Sequence, residues 1–253
     1  MNRCYASKLS KWFPLIVLLF FAMFAVDPPV QANGRANRTA EQKTALFLES
    51  LWDQPGPLYA FLRQMPKGGD LHSHLSGAVY AESMIRWAAE DGLCIDQKTL
   101  QATPPPCDAL TGRPEAKQAF NDSVLYRSII DAWSMRNWQY SGQSGHGHFF
   151  DTFNKFDIAT KNRRGDMLAE VASRAATGRV SYLELMITPE EHSISSLAVR
   201  TGWDDDFGSL RSKLLAQGMM DILDAVKKEI DQAETVMRQQ LKCGGEKPDP
   251  GCD

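Results

Sequence analysis

An α/β protein with parallel strands is the fold class this sequence predicts, and three observations predict it. "GDLHSHL" and "RVSYLELMIT" alternate apolar and polar residues with the period of two that marks a strand. Helical periodicities lie before, between and after them, and strands alternating with helices favour parallel pairing. His72 and Glu184, one on each strand, stand 112 positions apart. A simple βαβ unit needs about 30 residues or slightly more, so more than a crossover helix separates the strands.

The elements follow in order. "RTAEQKTALFLESLWDQ" predicts a helix capped by Thr39, with Leu46, Phe47, Ser50 and Leu51 on one side. "PGPLYAFLRQMPK" predicts a second, short helix closed before Pro66, and the first strand comes next. "AESMIRWAAEDGL" predicts a helix that stops at Gly92, after which residues 93–113 read as loop. Helical patterns return at 122–135, 148–155 and 164–176. The second strand ends at Pro189, a polar loop runs through "TGWDDDFG", and a long amphipathic helix covers about 219–242. The acidic run at 204–206 reads as a solvated loop with a helix N-cap, since the ligand spacing of a calcium loop is missing.

The amino terminus carries an address. Arg3, Lys8 and Lys11 precede an apolar run at 12–26, and Val30-Gln31-Ala32 offers a small-x-Ala cleavage pattern. That run contains Pro14 and falls short of the ~20 apolar residues of a membrane span. Residues 1–32 therefore read as a cleaved signal peptide, with an uncleaved anchor as the alternative, and the location as secreted or periplasmic. The whole chain has a net charge of −3; loss of the leader's three bases and one acid takes it to −5. No nucleic-acid partner is expected, and no membrane partner once the leader is gone. Four of the five cysteines remain after cleavage, an even number that favours disulfides in an exported chain. Of the three possible pairings the local one, Cys94 with Cys107 and Cys243 with Cys252, fits best, because each pair brackets a turn-rich loop.

Residues i and i+2 of a strand share a face, about 6.7 Å apart. Asp70, His72 and His74 should face one way, and Leu71, Ser73 and Leu75 the other. The second strand sorts in the same manner, with Leu183, Leu185 and Ile187 opposite Tyr182, Glu184 and Met186. The leucine faces suit a layer of helices. Two imidazoles at i and i+2 can both reach one zinc at ~2.0–2.1 Å. Zinc catalysis, however, usually takes three protein ligands and an open position.

"MPKGGDLHSHLSGA" resembles the opening motif of the adenosine deaminase family, a zinc-dependent branch of the amidohydrolase superfamily. "GHFFDTFNKFD" is similar to that family's Phe-rich helix over the active site, and "RVSYLELMITP" to its second barrel strand. The signal peptide, N-terminal helices and cysteines bring the chain nearest to the secreted growth-factor-related group. The resemblance covers most of residues 57–190. It implies a metal-dependent hydrolase (β/α)8 TIM barrel with its site at the C-terminal ends of the strands. It further implies Zn2+ bound by His72 and His74, a purine nucleoside met by Ser76, Gly77, Phe150 and Phe153, and Glu184 orienting a histidine. A structural ion pair is the other reading of Glu184. The implied reaction turns adenosine and water into inosine and ammonia, by attack of a zinc-activated hydroxide at C6.

Two departures qualify these expectations. The family commonly has an acidic residue where this chain has Ser76. Its third zinc histidine, Gly-Glu proton donor, later histidine and zinc-binding aspartate belong to later strands, and only two strands of eight are legible here, against ~250 residues for a whole barrel. The expected organisation is a leader (1–32), an N-terminal helical segment (33–65) and the N-terminal part of a barrel (66–253). No catalytic residue is assigned within it. Those groups are expected downstream of Asp253, with negligible activity from the chain alone. An amidohydrolase of different substrate, or a secreted non-catalytic binding or signalling protein on the same fold, are the alternatives. A homodimer is left open. The second H-x-H, His146 and His148, reads as a polar lead-in to a helix, and His192 as a loop histidine. Phe149, Phe150, Phe153 and Phe156 have helical spacing, which fits a core stripe as well as a lid. The zinc deaminases built on H-x-E and P-C-x-x-C are excluded, because neither element occurs.

Overall fold

The computed structural model describes residues 38–252, so the expected leader lies outside the described residues. Asp253, beyond which the catalytic groups are expected, lies outside them as well. The chain divides into two units after Leu62. In the first, α1 (Ala40–Leu51) starts at a capping box, with Thr39 and Gln42 each accepting from the other's backbone N–H. Pro55 opens α2 (Pro55–Gln64), where its missing N–H costs nothing. Phe47 and Phe61 meet edge to face at 5.8 Å.

The second unit is α/β. Its central feature is a parallel pair, β1 (Gly68–His74) and β4 (Val180–Met186). Parallel neighbours need a crossover, and here the crossover is nearly a domain in itself. It contains α3 (Ala81–Glu90), the short antiparallel pair β2 (Cys94–Ile95) and β3 (Ala102–Thr103), α4 (Ser123–Ala132), α5 (Gly145–Thr160) and α6 (Arg164–Thr177). Each helix buries one stripe. Met84, Ile85 and Ala88 do so in α3, Leu125, Ile129 and Ala132 in α4, and Met167 and Val171 in α6. Asp122 caps α4 by accepting from the Val124 and Leu125 N–H groups. Leu183, Leu185 and Ile187 of the β4 strand and its exit pack against this core, as their alternation predicts.

The loop expected at 93–113 is more ordered than that. It holds β2, β3 and a 3-10 turn at Ala109–Thr111, fastened by a Cys94–Cys107 disulfide. Cys243 pairs with Cys252, so both bridges are local. The polar loop before the last helix needs a larger correction. It contains α7 (Glu191–Thr201) and α8 (Phe207–Ala216), the latter capped by Asp206. Leu197 is the one buried residue of α7, and α8 has none. Helices that bury so little show a weak apolar stripe in sequence. The closing helix, α9 (Met219–Gln240), lies on α6, and Gly165 is what lets it approach: a Cβ there would stand 2.5 Å from Val236 Cβ.

Candidate functional site

The site sits where β1 ends. β1 does not alternate cleanly, because its register against β4 shifts between Asp70 and Ser73, where three steps of one strand match two of the other. That is a β-bulge, which re-aims side chains. Asp70 pairs with Leu183 and its carboxylate accepts from the His72 N–H at 3.3 Å. The expectation that Asp70 shares a face with His72 and His74 thus fails, and the extra residue in the bulge is the reason. Leu71, expected under the helices, is 65% exposed, and a Cβ on Gly69 would touch both Leu71 and Tyr182 at 3.4 Å. Leu71 therefore joins the open face. Leu75, beyond the bulge, is buried as expected.

On the open face His72 and His74 are both exposed, and their rings meet edge to face with centres 5.4 Å apart. Two imidazoles on one tetrahedral zinc, at ~2.0–2.1 Å per bond, place their ring centres ~5 Å apart. The observed spacing of the ring centres is close to that value. Among the described residues no group of three His, Cys, Asp or Glu could hold an ion. Tyr182 and Glu184 lie on the neighbouring strand's open side. There Glu184, a near neighbour of the Tyr182 hydroxyl, holds that phenol above its ordinary value. Glu184's partner is thus a tyrosine of its own strand.

Ser76, Gly77 and Ala78 form a 3-10 turn immediately past His74. Leu75 N–H donates to Met186 O at 3.1 Å, fastening the start of the turn to the end of β4. Phe153 reaches the same turn from α5: a Cβ on Gly77 would stand 3.3 Å from its Cζ. The α5 aromatics form a ladder, with His146 on Phe150 at 4.8 Å, then Phe150 to Phe149, Phe149 to Phe153 and Phe153 to Phe156 at 5.1–5.3 Å. Phe156 is buried and Phe150 is 57% exposed, so the ladder is core at one end and surface at the other. The structure brings Gly77 and Phe153 together, with Ser76 next to Gly77 in the turn that follows β1.

The other histidines have different settings. His148 is buried, its Nε2 donating to Ser134 O at 2.9 Å and its Nδ1 lying 3.2 Å from Gln143 Oε1. His192 is exposed in the first turn of α7. Ser144, one turn before His148, caps α5. Two residues not singled out from sequence also reach the Ser76 turn. Glu170 accepts from the Tyr80 N–H at 2.9 Å, and Arg174 donates to Ala78 O. Their i, i+4 spacing reads in sequence as an ordinary helix ion pair; nothing in it points to a turn some 90 residues away. No family model, curated protein or solved structure matches the chain.

Proposed function

We propose that this chain carries the first zinc-binding strand of an exported purine nucleoside aminohydrolase, converting adenosine and water to inosine and ammonia on a (β/α)8 barrel. The observation that carries the reading is the convergence of His72 and His74 at 5.4 Å on the open face of a parallel strand. The pairing of the Ser76-Gly77 turn, which follows that strand, with Phe153 adds to it. Zinc held there supplies the Lewis acidity that makes water a nucleophile near neutral pH. His72 and His74 hold the metal, Ser76 and the Gly77 backbone meet the ribose, and Phe150 and Phe153 flank the base. Glu184, with Tyr182, sets the polarity of the face. Zinc catalysis usually takes a third protein ligand, and among the described residues none stands with this pair. Both disulfides support export, since such bridges persist in oxidising compartments. Among the described residues no helix is long and apolar enough to cross a membrane.

A hydroxyl at Ser76, where the family commonly has a carboxylate, favours a second reading on the same fold. The substrate would then be another amide or amidine whose recognition needs no anionic partner. Zinc titration and adenosine binding, measured on the full chain, test both. His72→Ala and His74→Ala should each abolish zinc binding, and His146→Ala should not. Zinc binding unchanged in the first two sinks the metal assignment. Zinc retained without any adenosine binding leaves the second reading in its place.

A further inference from the structure

We infer that Glu170 and Arg174 of α6 are positioning residues that latch the Ser76–Gly77 turn and so keep His74 converged on His72. The inference rests on the zinc reading above. The turn follows β1 after one residue, Leu75, and its exit presents two backbone groups, the Ala78 carbonyl and the Tyr80 N–H. Tyr80 is the N-cap of α3 and makes no side-chain capping bond. Both groups are met from α6 instead. One Glu170 oxygen, Oε1, accepts from the Tyr80 N–H and from Arg174 Nη1, each at 2.9 Å, while Arg174 Nη2 donates to the Ala78 carbonyl. The Arg174 guanidinium also lies over the Tyr80 ring, 4.1 Å from its centre.

Each of these contacts has a charged partner, and such bonds are about twice as strong as neutral ones. The two side chains are largely shielded, at 19% and 32% exposure, so solvent screens them less than a surface pair. Together with Leu75 on Met186 and Gly77 on Phe153, they hold the turn from three elements. Removal of the latch leaves the turn tied only at its start and middle. The freed exit, Ala78 to Tyr80, is joined to His74 through Leu75, Ser76 and Gly77, and the cost to the orientation of that imidazole is passed back along the turn. Supporting groups around metal ligands typically change affinity by about 10–100-fold.

The test compares the full chain with Arg174→Ala, Arg174→Lys and Glu170→Gln, by amide hydrogen exchange and by zinc titration against a chromophoric chelator. In Arg174→Ala the Ala78 and Tyr80 amides should exchange about tenfold faster, with Ile85 and Ile129 unchanged, and the zinc Kd should rise about tenfold. Arg174→Lys keeps a donor and a cation over Tyr80, and should recover most of both. Unchanged exchange in the turn overturns the latch. Faster exchange with an unaltered zinc Kd overturns the positioning role and leaves a structural tie. A wild-type chain that binds no zinc overturns the metal reading itself, a separate result. Should Arg174→Ala lose protection in the core as well, Glu170→Gln makes the same comparison, because it keeps an acceptor for Tyr80 and removes only the charge.

Discussion

The chain contains the tripeptide pattern H-x-H twice, and the two copies have opposite fates. His72 and His74 lie on a strand, exposed, with their rings brought together. His146 and His148 lie on the first turn of α5, where residues two apart point to different sides of the helix. His148 is 4% exposed with both ring nitrogens engaged, while His146 lies on the Phe150 ring. The same spacing therefore makes a converged, exposed pair on one backbone and a packing residue plus a surface residue on the other. Secondary structure, rather than the motif, decides which histidines can share an ion.

The contrast predicts opposite responses to one substitution. His148→Ala leaves Ser134 O without its donor and opens a hole beside it, and should cost about 3 kcal/mol of stability. His72→Ala and His74→Ala, on an exposed face, should stay within about 0.5 kcal/mol of wild type and lose zinc. Urea unfolding beside zinc titration checks both halves; equal destabilisation by all three would break the distinction. Gln143→Ala removes one neutral partner of His148 and should cost about 1 kcal/mol. A larger loss, near that of His148→Ala, would mean that Gln143 and not Ser134 O holds the ring.

The two regions meet at Gly77. A Cβ there would be 3.3 Å from Phe153 Cζ, close enough that the ring must give by a few tenths of an ångström. Gly77→Ala should cost ~1 kcal/mol or less and shift the ring resonances of Phe153 and Phe149, which meet edge to face at 5.2 Å. Unmoved ring resonances would show that the ladder and the turn are independent.

Period-two alternation and helical stripes made the two strands and the buried helices legible, because each puts a continuous apolar face into one core. The same signal failed at α7 and α8, where Leu197 alone is buried and other apolar side chains stay exposed, Val199 at 84% and Phe207 at 68%. His72 and His74 were legible as a pair because alternation over three residues survives whatever happens upstream. Asp70 and Leu71 were not, because the bulge that displaces them is set by pairing with β4, more than a hundred residues away. Arg174 was illegible for the same reason: its partners at Ala78 and Tyr80 come from the fold. Local disulfides were readable because their loops are short and rich in turns.

The remaining prediction concerns the carboxylate beside the exposed pair, and its effect is the smallest. Glu184 holds the Tyr182 phenol above its ordinary value, first through the hydrogen bond and then through its charge. A raised folded value means that the bond's contribution is complete below the unfolded phenol's pKa, ~10. It is lost as pH rises through the folded one. Tyr182 is 56% exposed, so the contribution to stability is screened and small, and the titration itself is the readout. Ultraviolet titration of phenolate should show one tyrosine moving down in Glu184→Gln, with the others fixed. Zinc adds a second arm. If a zinc-bound imidazole draws Glu184 away from Tyr182, saturation with zinc should lower the same phenol in wild type and leave Glu184→Gln unchanged. A Tyr182 that titrates identically with and without zinc would keep Glu184 as its tyrosine's partner alone, and the carboxylate of the β4 open face would have no part in orienting the metal's ligands.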